Sequence, residues 1–125
     1  FIGHIKEMIE SSNLIKKNNN LEPIKVILDL YAFKAYPGVF DLIRKGIKSS
    51  LFESNKEIFD QILSERRNKR IISFSKKNKL DSERFKEKIS LLLDPQTCGP
   101  LLISCDPKYE SFLKDEWHKV GEVIN

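Results

Sequence analysis

Cysteine and histidine are scarce in this chain. Cys98 and Cys105 are its only thiols and His4 and His118 its only imidazoles. The cysteines lack the company of further Cys or His in close pairs that a zinc site requires, and the histidines stand far apart, so both thiols are read as free and no metal site built from this chain is expected. Methionine occurs once, at Met8, while the first residue is Phe1; the sequence is therefore expected to be a piece of a longer protein. Long apolar runs are missing as well: none approaches the roughly 20 residues of a membrane span. Nor do the opening residues have the charged-then-apolar pattern of a secretory signal. A membrane partner is not expected, and a soluble, cytoplasmic setting is the default.

What the chain does have is enough apolar material, 40% of 125 residues, to build one core, so a single domain over residues 1–125 is expected. Its net charge is +4. The basic residues gather at Arg66, Arg67, Lys69 and Arg70 and again at Lys76, Lys77 and Lys79, with Phe74 between. Such a cluster could neutralise phosphates, but it matches no nucleic-acid motif and reads as a solvated loop. Nucleic acid is not an expected partner.

Hydrophobic spacing sets the elements. Ile2, Ile5, Met8 and Ile9 recur at helical intervals, predicting an opening amphipathic helix that the polar Ser11–Asn20 stretch ends. Leu21–Leu30 reads as a buried strand, and Tyr36-Pro37-Gly38 as a turn. A short helix follows with Val39, Leu42 and Ile43, and Gly46 stops it in the left-handed conformation. Ser54 and Glu57 have capping-box spacing, predicting a helix from about Asn55 to Glu65. Ile71, Ile72 and Phe74 make a short strand. Asp81 or Ser82 then caps a helix carrying Phe85, Ile89, Leu92 and Leu93 on one face. Leu101–Cys105 is predicted to be a strand, Asp106-Pro107 to open a helix through Val120, and Glu122–Ile124 to form a last strand. The fold class expected is α+β, a small mixed β-sheet covered by amphipathic helices.

One stretch organises the chain. Asp94-Pro95-Gln96-Thr97-Cys98-Gly99-Pro100 sets small, polar and turn-forming residues between Leu91-Leu92-Leu93 and Leu101-Leu102-Ile103. Proline crowds the residue before it out of helical geometry, so a helix should end near Leu93. Backbone N–H groups, the Gln96 amide and the Thr97 hydroxyl then lie at the rim of a core, either where a ligand reaches them or where they satisfy only their own backbone.

The same stretch, through Leu102, resembles the Asp-Pro-Gln-Thr-Ser-Gly-Gly-Leu-Leu signature of the selenophosphate synthetases (selenide, water dikinases). Phe1-Ile2-Gly3-His4-Ile5 with Glu7-Met8 is similar to that family's Gly-Phe-Gly-Leu-Leu-Gly-His-Leu-x-Glu-Met segment. Tyr36-Pro37-Gly38-Val39 and Gly46 match its Leu-Pro-Gly-Val and the following glycine, and Asn55 falls at the asparagine of a Gly-Gly-Thr-x-x-Asn loop. The resemblance implies the C-terminal domain of an enzyme of this family, with the architecture of aminoimidazole ribonucleotide synthetase-related proteins. The whole enzyme would use ATP, Mg2+ and selenide to make selenophosphate, AMP and phosphate. Its N-terminal domain would form the homodimer, carry the ATP-binding and catalytic machinery and be this domain's partner, so this piece alone would be inactive and would contain no catalytic residue. The resemblance implies Asp94, Gln96, Thr97 and Gly99 as a loop facing substrate and phosphate, with His4 and Asn55 as outer candidates. Two residues depart from the pattern: Cys98 replaces a serine with a weaker donor, and Pro100 replaces a glycine, deleting an N–H and fixing φ near −65°. A diverged, non-catalytic copy that binds nucleotide or protein is the alternative these departures raise.

Overall fold

A computed structural model describes residues 1–66, 70–77, 82–95, 101–113 and 115–125. Its centre is β1, Lys25–Leu28, flanked by β2, Ile72–Phe74, running parallel and by β3, Gly121–Ile124, running antiparallel. The three strands make a mixed sheet of order β2-β1-β3. Val26 stands opposite Ile72 and Val123, and Leu28 opposite Phe74 and Gly121. Alternation along the strands puts Val26, Leu28, Ile72 and Phe74 on one face, and that face meets the helices. Phe74 packs against Phe59 at 6.0 Å and edge-on to Phe85 at 5.4 Å. The molecule is thus α+β with a small mixed sheet, as expected.

Three helices supply the rest of the core: α1, Ile2–Asn18, through Ile2, Ile5 and Ile9; α3, Phe52–Ser64, through Phe52, Phe59 and Ile62; and α4, Glu83–Leu93, through Phe85, Ile89, Leu92 and Leu93. Leu30 is fully enclosed among them, in a short 3₁₀ turn over Leu30–Ala32. A fourth helix, α2, Val39–Arg44, follows the expected turn: Gly38 takes φ +85°, and Gly46 φ +75° after it, values that suit glycine alone at no cost.

Several expectations are corrected. The first helix does not end at Ser11 but runs to Asn18. Nothing in Ser11-Ser12-Asn13 breaks a helix, and the Asn13 side chain bonds both the N–H and the carbonyl of Ile24 instead, tying α1 to the strand entry. The stop comes at Asn20, with φ +54°, where Asn20 and Leu21 donate their N–H groups to the carbonyls of Lys17 and Lys16. That is a Schellman closure with asparagine in the left-handed position.

The strand expected over Leu21–Leu30 is the four residues Lys25–Leu28, because the Asp29 carboxylate accepts from the Tyr31 N–H and turns the chain. Helix α3 begins at Phe52, so Ser54 and Asn55 lie inside it and the Ser54–Glu57 box does not form the cap. Its first turn is held by Lys48, paired with Glu53 and placed 4.2 Å over the Phe52 ring. The cap of α4 is Ser82, whose Oγ accepts from the Phe85 N–H at 3.1 Å; Asp81 lies outside the described residues.

The largest correction is in the last quarter. Leu101–Asp106 is not a strand, and Asp106-Pro107 starts only a six-residue 3₁₀ helix, Pro107–Phe112. Both edges of β1 are already taken, and Phe112 is 79% exposed, its ring 6.3 Å from that of Tyr109 in the same segment and outside the buried core. A short amphipathic segment without a core to pack on does not hold helical form. β3 then forms as expected at the end.

Candidate functional site

Helix α4 ends where the proline demands. Asp94 is extended, φ −65° and ψ +131°, and still donates its N–H to the Ser90 carbonyl at 3.2 Å. The residue before it, Leu93, is buried and is the last of the helix, where carbonyls run out of intrahelical donors. A donor comes from α3: Asn55 Nδ2 donates to Leu93 O at 2.6 Å across 38 residues of sequence. Asn55 and Asp94, two of the residues singled out from the sequence, therefore meet at one junction.

Phe1 stacks edge-on against Phe33 at 4.8 Å. His4 is placed differently: its ring is 83% exposed, with Nδ1 3.5 Å from Glu7 Oε2. Gln96, Thr97 and Gly99, together with Cys98 and Pro100, lie outside the described residues.

Two features went unnoticed in the sequence. Lys88 is a charged residue in the core-facing stripe of α4, 7% exposed, between Phe85 and Ile89. Its ammonium bonds the Phe33 carbonyl and sits 5.0 Å from the Phe40 ring centre. Burial pushes the amine below its ordinary value, and the nearby Arg84 charge adds to the shift. The signal was present, because a lysine at position 88 interrupts the apolar spacing of Phe85, Ile89 and Leu92. The second is an apolar groove of about 750 Å³ between α1, β1 and the irregular segment after Leu101, lined by Met8, Ile9, Val26, Leu102, Trp117 and Val120. Leu102–Cys105 and Trp117–Val120 line it without regular secondary structure, where the spacing predicts a strand and a helix.

Of the basic cluster, Arg70 has a structural role. Its guanidinium donates to the carbonyls of Leu63 and Glu65, closing the end of α3. Among the described residues no three His, Cys, Asp or Glu side chains gather as a metal site, and no helix is long and apolar enough to cross a membrane. Comparison with family models, with curated proteins and with solved structures found no match to this chain. The likeness of its two end segments to a known family therefore stands on those residues alone.

Proposed function

We propose that this chain is the C-terminal domain of an ATP-dependent selenide, water dikinase, in which Asp94 to Leu102 faces the catalytic domain of the same protein. The observation that carries it is the hydrogen bond from Asn55 to Leu93. Two stretches that resemble separate motifs of one family, far apart in sequence, are joined in the fold where the most specific of them begins.

The chemistry gives such a domain a task. In the overall reaction the three phosphoryl groups of ATP end in AMP, selenophosphate and inorganic phosphate. Charge on the phosphoryl oxygens must be stabilised, and water kept away until its turn. The Gln96 amide, the Thr97 hydroxyl and the backbone N–H groups of this stretch are donors suited to phosphoryl oxygens. ATP and magnesium, on this reading, would be held by the N-terminal domain. On this reading the domain is a cover and a wall, inactive alone, and His4, exposed on this chain, stays an outer candidate.

Cys98 and Pro100 favour a second reading, a diverged copy that binds nucleotide or a protein without catalysis. One experiment separates them: AMP formation by the full-length protein with ATP and magnesium, with and without selenide. The dikinase reading requires selenide-dependent AMP and a loss of at least about tenfold in Asp94→Ala. The second requires none, with no gain when Cys98→Ser and Pro100→Gly are combined.

A further inference from the structure

The core-facing stripe of α3 reads Phe52, Asn55, Phe59, Ile62, at helical intervals of three and four. Three of these are buried hydrophobic residues, and the other is an amide. A primary amide carried into a core without partners is costly, and leucine, of nearly the same shape, would suit the stripe without that cost. What leucine cannot do is donate. The Asn55 amide uses its N–H on a single backbone carbonyl, that of Leu93, at 2.6 Å.

That carbonyl is not an arbitrary acceptor. Leu93 C=O and Asp94 N–H belong to one planar peptide group. The N–H end of the plane donates to Ser90 O at 3.2 Å, and the carbonyl end accepts from Asn55. Held at both ends, the plane cannot rotate, and its orientation fixes the direction in which the backbone leaves α4 into Asp94 and Pro95. A second asparagine staple between elements, Asn13 to Ile24, fastens the entry of a strand; this one fastens the exit of a helix.

We infer that Asn55 is a positioning residue: its bond to the Leu93 carbonyl sets the orientation of Asp94 and Pro95, where the backbone leaves α4. The inference of a catalytic effect rests on the dikinase reading; the inference of an anchor does not. Asn55 touches no reacting atom and acts only through the peptide plane.

The test uses the full-length protein as wild type, Asn55→Leu and Asn55→Gln. Leucine fills the stripe and removes the donor, whereas glutamine keeps an amide. Amide hydrogen exchange is read at Asp94 and, as a control, at Ile9 in α1. In Asn55→Leu the Asp94 amide should exchange about tenfold faster, the scale of one lost hydrogen bond to a buried group, with Ile9 within about twofold of wild type. Asn55→Gln should recover most of the difference. An unchanged Asp94 amide, or equal acceleration at both sites, overturns the anchor. Selenide-dependent AMP formation is read on the same proteins: kcat should fall about tenfold in Asn55→Leu while KM for ATP stays within about twofold. If Asp94 exchange responds but kcat does not, the positioning role is overturned. If wild type makes no AMP, the dikinase reading fails, and the exchange comparison decides the anchor by itself.

Discussion

Gly121 gives a prediction in which two physical effects have opposite signs. It opens β3 opposite Leu28, and a Cβ at this position would lie 2.5 Å from the Ile27 carbonyl oxygen and 3.1 Å from a Leu28 methyl. Backbone freedom alone favours replacement, since glycine in a strand costs roughly 0.5–1 kcal/mol relative to alanine. Steric contact opposes it. The obstacle is a backbone carbonyl of the central strand, which moves only if the β1–β3 pairing opens, and forced overpacking costs about 1–3 kcal/mol. Gly121→Ala should therefore destabilise by about 1–2 kcal/mol, the difference between the two terms. With a urea slope of about 1–3 kcal/mol/M, the unfolding midpoint should fall by roughly 0.5–1 M with the slope unchanged. The companion is Gly3→Ala in α1, where a Cβ meets nothing within 4 Å. There only the entropy term remains, and stability should rise by up to about 1 kcal/mol. A Gly121→Ala protein as stable as the original would refute the close β1–β3 approach.

Lys88 should leave a mark on the pH dependence of stability. Its amine is lowered in the fold from the ordinary 10.5, so between the two values the unfolded chain holds a proton that the native state has released. Stability contributed by this group therefore rises with pH across that window, and its charged form is a cost below it. In Lys88→Met, thermal midpoints measured from neutral pH to about pH 10 should lack this rise; an identical profile would contradict the burial. Lys56 and Lys119, raised by their partners Asp60 and Glu122, act with the opposite sign above 10.5 and are common to both proteins. Leu30→Ala, which empties a fully enclosed site, should cost about 2–5 kcal/mol by urea unfolding, and a loss well under 1 kcal/mol would place Leu30 outside the core.

Elements fixed by local chemistry were legible in the sequence. The Tyr36-Pro37-Gly38 turn, the Gly46 stop and the end of α4 before Pro95 each follow from a residue whose backbone preference leaves one choice, while the cap of α4 was narrowed to Asp81 or Ser82. Those that depend on a partner surface were not. Asn13 reads as a helix-ending polar residue until Ile24 is seen beside it, and Asn20 does a glycine's work. Tyr109, Phe112 and Trp117 have helical spacing, yet spacing cannot say whether a core exists to receive them. At the candidate site, the sequence pointed to both Asn55 and Asp94 but not to their junction, because the hydrogen bond between α3 and α4 joins residues 38 apart. Lys88 was overlooked because a lysine in a stripe reads as solvated until its carbonyl partner is known.

The most direct test of the dikinase proposal is phosphorus NMR of the full-length protein turning over ATP with magnesium and selenide. The account predicts a phosphorus resonance split by directly bonded selenium, appearing in equal amount with AMP and inorganic phosphate and lost in Asp94→Ala. ATP left intact, or converted to ADP and phosphate without a phosphorus–selenium product, would contradict it.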